Sequence, residues 1–439
     1  MKGQNSVFPG DFSRGDQSRS LFHSIAFILE ESGVSDTEGN NLSFALLDID
    51  RFSQYNLSLG YHFGDRILDQ IFRKINSLSM VHSVLRVGDD EFLALIRSGT
   101  QAELNYGISQ IQAFFRTPLK IEPMECIITV SIGVCAMRLI PREQQIEYSY
   151  QQACMALQQA KRNGKNKVFI YDSSLMALSA ERIRMETELH QAITNDQLVL
   201  HYQPRQELAT GRVTCLEALV RWNHPKRGLI PPNEFIPLAE ESGLIVPLGE
   251  WVIRNACMQK VKWLQAGIMN AQVAINISLI QFQDAEFVKN VSRIIEESGL
   301  DPGFLEFEIT ESSIMQDRDK TIAILEQLCG MGISISIDDF GIGYSSLSYL
   351  KHFPVQCLKI DRTFVKNIQN NQSDLAITHA IINLGHSLNL QIVAEGVEDD
   401  RQLEILRGTK CTTIQGFVLS PPVSPNELEE LVGHRKLMC

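Results

Sequence analysis

Long apolar runs are absent from this 439-residue sequence. None approaches the ~18 residues that a bilayer-spanning helix needs. The opening stretch, MKGQNSVFPGDFSRG, has no apolar signal-peptide region. The expectation is a cytoplasmic protein with no membrane span. Paired cysteines are absent too. The nine thiols are scattered, odd in number and never in a C-x-x-C pair, which argues for reduced, mostly buried side chains. Positive charge is scarce: 40 Lys and Arg against 52 Asp and Glu leave a net charge of −12, so nucleic acid is not expected as a partner. A small anion can still bind where metals or a few local cations meet it. The remainder, 44% hydrophobic and 21% charged, is ordinary for globular chains, and the length favours two or three domains.

The pattern changes near residue 175. Before it, a helical segment around Arg19 to Glu31 leads to a strand, NLSFALLDID, and a helix follows through Asp65 to Ile75. Next comes a hairpin, SVLRVGDDEFLALI, whose two β runs flank an acidic turn. The strand CIITVSIGVC, a helix through YSYQQACMALQQAKRNGKN and a last strand, VFIYD, complete this part. Hairpin strands with intervening helices predict a mixed-sheet domain. Ser179 to Ala192, SAERIRMETELHQA, reads as a charged amphipathic connector helix. Beyond it come eight apolar runs: LVLHYQ, CLEALVRW, VAINIS, LEFEITE, ISISIDD, CLKID, QIVAEG and TTIQGFVL. Most are separated by helix-length segments, over about 250 residues, which predicts a (β/α)8 barrel. Its start is irregular, since the second run follows the first closely.

Nearly every one of these runs ends in polar residues: Gln203, Glu217, Asn276, Glu308, Asp338 with Asp339, Lys359 with Asp361, Glu395 and Gln415. In a barrel such ends meet on one rim. Each alone could be a helix cap, but capping does not ask for oxygen ligands in so many crossovers. The set is rich in carboxylates and amides and has no Cys or His. It suits Mg²⁺ or Mn²⁺ and, with less geometric strictness, Ca²⁺. Its size favours two metals, which together clamp the attacking and leaving oxygens of a phosphoryl displacement. Adjacent Asp338 and Asp339 would face opposite sides of a regular strand, and bridging cations would let both be ionised. Lys359 could orient or deprotonate the attacking water, and Arg221 could grip a phosphate oxygen. The chemistry implied is phosphodiester hydrolysis. His224, before Pro225, is read as a turn residue. Tyr344 and Tyr349 could stack a base or pack under their loop.

These motifs closely resemble the EAL-domain cyclic di-GMP phosphodiesterases over about residues 178–435. Glu217-Ala218-Leu219, extended by Val220-Arg221-Trp222, is followed by NIS at Asn276, EITES from Glu308 and DDFGIGYSSL from Asp338. LKIDR around Lys359, AEGVE around Glu395 and QG at Gln415 complete the family's order. The resemblance implies that Glu217, Asn276, Glu308 and Asp338 ligate one metal and that Asp339 and Glu395 help hold a second. It implies that Lys359 activates water and that Gln203, Leu219, Arg221 and Gln415 meet the substrate. Glu311 would support the loop Phe340 to Leu347, which takes part in dimerisation in the family, and one barrel strand would run antiparallel. Ca²⁺ is expected to inhibit, because its larger radius spoils Mg²⁺ geometry.

The first part resembles, less faithfully, the GGDEF domain of diguanylate cyclases. LDIDRFSQYN with Gly64-Asp65 keeps Asp48, the family's first metal-type acid, and Asn56 and Asp65, its guanine contacts. Asp90, Lys161 and Lys165 complete the GTP-type positions. The hairpin signature stands as Gly88-Asp89-Asp90-Glu91-Phe92, with Asp89 where the family has its second glycine. DFSRGDQSR keeps only Asp11, Gly15 and Arg19 of an N-terminal motif, Ser53 replaces a lysine, and Ser79 and His82 stand at the product-inhibition site. Glycine lets backbone N–H groups approach a triphosphate, whereas Asp89 adds bulk and negative charge. A cyclase-dead domain is expected, binding GTP as an allosteric ligand or serving as a scaffold for dimers.

The expected fold is α/β. Residues 1–10 form a tail, 11–174 a degenerate GGDEF domain with a central mixed sheet, 175–192 the connector and 193–435 an EAL barrel of TIM type. No sensor segment is read before Asp11. The expected function is metal-dependent hydrolysis of cyclic di-GMP to linear pGpG by a homodimer formed through the EAL domain. The alternatives are a non-catalytic cyclic di-GMP receptor and a bifunctional cyclase/phosphodiesterase. The complete metal set opposes the first and Asp89 the second.

Overall fold

A computed structural model describes residues 14–31, 42–122, 124–137, 143–311, 318–342 and 350–433. The chain divides into two compact units between Glu181 and Arg182, inside a helix spanning Ser173–Thr194. Among the described residues no helix is long and apolar enough to cross a membrane.

The first unit holds β1 (Leu42–Ile49), β2 (Val81–Arg86), β3 (Glu91–Arg97), β4 (Leu119–Ile121), β5 (Met124–Cys126), β6 (Val130–Met137) and β7 (Val168–Ile170). Five of them form a mixed sheet in the order β2-β3-β1-β6-β7, in which only the β6–β7 pair is parallel. The expected run CIITVSIGVC is therefore two strands, since β5 pairs with β4 in a separate hairpin. Every residue of β1 is buried, and period-2 geometry explains how. Ala45, Leu47 and Ile49 join a core with the helices Tyr61–Asn76 and Gln101–Phe115. Leu42, Phe44 and Leu46 join another with Arg14–Glu31 and Glu143–Arg162. Sequence reading passed over Gln101–Phe115, although its capping box, Thr100 with Glu103, was there to be seen.

Gly133 on β6 lets the helix Glu143–Arg162 approach the sheet backbone to backbone. A Cβ there would lie 2.1 Å from the Leu157 nitrogen and 2.2 Å from the Ala153 oxygen. Gly133→Val is expected to destabilise the unit by about 3 kcal/mol, because backbone cannot yield as a side chain does. An unchanged midpoint in a urea melt of the full chain would contradict this packing.

The second unit closes eight strands into a barrel. These are β8 (Leu198–Glu207), β9 (Val213–His224), β11 (Gln272–Asn276), β12 (Leu305–Thr310), β13 (Ser334–Phe340), β14 (Cys357–Ile360), β15 (Gln391–Ala394) and β16 (Thr413–Gln415). A short strand, β10 (Gly228–Ile230), pairs outside on β9. β8 is antiparallel to both of its neighbours and the other seven are parallel. The eight runs read from sequence are these strands, and the irregular start is the antiparallel one. Alternation then sorts the side chains. Leu216, Ile275, Phe307, Ile335, Leu358 and Ile392 enter the apolar core; their chain neighbours Glu217, Asn276, Glu308, Ser336 and Lys359 have the opposite parity and point inward.

Candidate active site

The C-terminal ends of seven parallel strands share one rim, and the inward residues nearest it are mostly ionic. Lys359 on β14 stands at their centre with its side chain only 1% exposed. Its Nζ lies 2.6 Å from Glu308 Oε2, 2.6 Å from Glu395 Oε1, 3.0 Å from Asp338 Oδ1 and 3.9 Å from Glu217 Oε2. Burial works against the ammonium, but Asp338, Glu217 and Glu395 together outweigh it and hold the lysine's pKa well above the ordinary value. In this arrangement Lys359 is a donor.

Below the rim, β8 contributes Gln203 opposite Glu217 and, one inward step deeper, Arg205 opposite Cys215. Arg205 is buried. It donates from Nε to Gln415 Oε1 at 3.0 Å and from Nη1 to Glu306 Oε1 at 2.7 Å, and its Nη2 pairs with Glu308 Oε1. The Gln415 amide donates to Gln203 Oε1 at 3.0 Å and to Glu217 Oε2 at 2.5 Å. Asn276 donates to the other Glu217 oxygen at 2.7 Å. Burial raises the Glu217 pKa, but Lys359, Arg205 and these two amides lower it further, for a net depression. Sequence reading missed Arg205 and Glu306. The available signal was parity, since Arg205 is two residues from Gln203 and Glu306 two from Glu308.

Asp338 and Asp339 do not obey strand alternation. Asp339 has φ +55° and the β13–β14 register shifts between Ile337 and Phe340, so the bulge keeps the Asp339 side chain at the rim. Desolvation, with Asp338 and Asp361 beside it, pushes Asp339 up to about 6. Asp361 is buried and caps the next helix through the Thr363 N–H at 2.7 Å.

Leu219 and Arg221 continue the inward row of Glu217 toward the rim. Arg221 is half-buried and donates to the Val220 carbonyl at 2.9 Å. Glu311 is buried and accepts the Gly341 N–H at 3.1 Å, holding the start of the loop after β13. Residues 343–349 of that loop, with Tyr344 and Tyr349, lie outside the described residues, as do Ser312 and Asp11. His224 accepts the N–H groups of Lys226 and Arg227 at its Nδ1 (3.1 and 3.2 Å), as a turn residue does.

In the first unit, Asp48 at the end of β1 is buried and paired with Lys161 Nζ, which also lies 4.0 Å from Glu91. Asp90 is close enough to raise the Asp48 pKa, which burial raises most. Asn56 packs on Gly64, next to the exposed Asp65, and its Oδ1 is buried without a hydrogen-bond partner. Lys165 is exposed with φ +59°. Asp89 is not among the positive-φ residues, so this turn forms without a second glycine. Arg86 braces it by donating to the carbonyls of Gly88 at 3.0 Å and Asp89 at 2.7 Å.

Five carboxylates of the barrel interior and rim, Glu217, Glu306, Glu308, Asp338 and Glu395, face two cations, Arg205 and Lys359. Among the described residues no three acidic, His or Cys side chains converge as metal ligands; the carboxylates point at Lys359 instead. The donor set nevertheless fits hard divalent cations, because the excess negative charge is costly there unless neutralised. Burial pushes Glu395 up to about 7, against the lowering by the Lys359 ammonium beside it.

Comparison with known proteins supports this reading of the architecture. The EAL domain matches residues 186–422, and the diguanylate cyclase GGDEF domain matches 21–167. The bifunctional diguanylate cyclase/cyclic di-GMP phosphodiesterase MucR of Pseudomonas aeruginosa is 39% identical over 91% of this chain and 58% of its own length. The cyclic di-GMP phosphodiesterase PdeR of Escherichia coli is 35% identical over 90% of this chain and 59% of its own. The chain spans about half the length of the curated relatives it matches. A solved structure of the PaMucR phosphodiesterase in complex with c-di-GMP is 47% identical, with a TM-score of 0.54, covering 56% of this chain and 99% of that one. The chain belongs to the EAL-domain family, with a GGDEF domain preceding its barrel.

Proposed function

We propose that the barrel hydrolyses cyclic di-GMP to linear pGpG with two divalent cations, Mg²⁺ or Mn²⁺. The observation that carries this is the gathering of Glu217, Glu308, Asp338 and Glu395 around the buried Lys359, a surplus of carboxylates over cations that divalent ions would neutralise. Glu217, Asn276, Glu308 and Asp338 would hold one cation; Asp339 and Glu395 would help hold the second. When bound, the cations supply Lewis-acid polarisation of the phosphodiester and make water more acidic. Water adds to phosphorus, the bond to the 3′-oxygen breaks, and that oxygen takes a proton. Lys359, as an ammonium, orients water or the phosphate. As a base, Lys359 would need a lower pKa, which cations held by the same carboxylates would provide. Arg221, Leu219, Gln203 and Gln415 would position the substrate.

The first unit supports a cyclase-dead domain. Asp89 adds bulk and negative charge beside the phosphate position, where the family has its second glycine. GTP bound through Asn56 and Asp65 would act on the barrel only by binding its activity states with different affinities.

One assay tests both parts: purified protein with cyclic di-GMP or GTP, Mg²⁺ or Mn²⁺, and separated products. The expected result is pGpG from cyclic di-GMP, inhibition by Ca²⁺, and no cyclic di-GMP from GTP. GTP should raise hydrolysis without being consumed, and Asp65→Ala should remove that rise. Intact cyclic di-GMP with either metal would leave the receptor reading. Calorimetry without GTP binding at millimolar concentration would leave the first unit as a scaffold.

A further inference from the structure

Arg205 is a buried cation that none of the expected roles uses. Its surroundings are built: Gln415 and Glu306 each accept a hydrogen bond from the guanidinium, and Glu308 lies in ion-pair contact with its third nitrogen. A guanidinium has donors only. The carbonyl end of Gln415 must therefore face Arg205, which turns the amide NH₂ toward Gln203 and Glu217. One residue thereby sets which end of Gln415 meets Glu217. At the same time it takes one oxygen of Glu308 and leaves the other to Lys359. Glu306, also buried, balances the charge from below.

We infer that Arg205 is a positioning residue for the hydrolytic site: it orients Glu308 directly and Glu217 through Gln415, so that both carboxylates present their oxygens to cations at the rim. The inference rests on the barrel being that site. Lysine is a poor substitute, since a single ammonium cannot hold three partners in the planar geometry of a guanidinium. Partners that orient metal ligands from behind typically matter by about 10–100-fold in metal affinity or activity.

Arg205→Met alone leaves Glu306 buried without a counter-charge and is expected to lower stability. The deciding variant is therefore Arg205→Met with Glu306→Met, which removes both charges and fills the space with apolar side chains. Its thermal midpoint should return close to the parent value. Its Mn²⁺ affinity, read by electron paramagnetic resonance without substrate, should remain at least about tenfold weaker. Turnover of cyclic di-GMP should remain about 10–100-fold lower. Arg205→Lys should fall between the two. If the double variant regains stability, Mn²⁺ affinity and turnover together, Arg205 only fills the barrel and the inference is overturned. If the parent protein itself does not turn over cyclic di-GMP, the hydrolytic reading fails. The Mn²⁺ titration then still decides whether Arg205 positions the carboxylates: weakened binding supports it and unchanged binding overturns it.

Discussion

Glu217→Ala and Asp338→Ala are each expected to lower cyclic di-GMP hydrolysis by about 10³-fold or more, the scale on which losing a ligand of a two-metal clamp acts. Glu217 is held by Asn276 on one oxygen and Gln415 on the other, so its position is set before any cation arrives. Asp338 lies 3.0 Å from Lys359 and accepts the Asp339 N–H at 3.0 Å. Stability should move differently from activity. Asp338→Ala removes one negative charge from a cluster in which carboxylates outnumber cations, so the metal-free protein should keep its thermal midpoint or gain a few degrees. Glu217→Ala should melt lower, because it leaves the Asn276 and Gln415 amides without their acceptor and takes a counter-charge from Lys359. Loss of hydrolysis with an intact melt would identify a functional carboxylate. Turnover at the parent rate in either variant would remove the two-cation account.

Lys359→Met should have the next largest effect, a fall in kcat of about 10²-fold with KM little changed, if the lysine acts on the water or the departing charge. Its stability effect has the opposite sign. Without the ammonium, Glu308 keeps only Arg205, while Asp338 and Glu395 lose a close counter-charge. The metal-free variant should melt lower than the parent, and saturating Mn²⁺ should recover most of the difference by binding the folded state. Collapse of substrate affinity with kcat preserved would make Lys359 a phosphate clamp instead.

What the sequence determined by itself was periodic and local. Eight apolar runs with helix-length spacers specified the barrel because side-chain alternation has a period of two, and burial on one face shows within a few residues. Polar residues at the ends of those runs marked the rim for the same reason. The two-sided burial of β1 showed as an almost continuous apolar stretch, LSFALLDI. Tertiary structure decided what depends on partners far along the chain. Arg205 looks like any charge in HYQPRQEL until antiparallel β8 closes the barrel and sets it against Glu306, 101 residues away in sequence. Lys161 and Asp48 are 113 residues apart, and no local pattern announces their ion pair. The direction of β8 depends on closure against both β9 and β16. Asp339 shares the rim with Asp338 only because its backbone turns left-handed at a bulge, a conformation that two adjacent acids do not specify. Alternation acts over neighbouring residues and can be read from them; counter-charges and closure act across the whole barrel and are settled only when it forms.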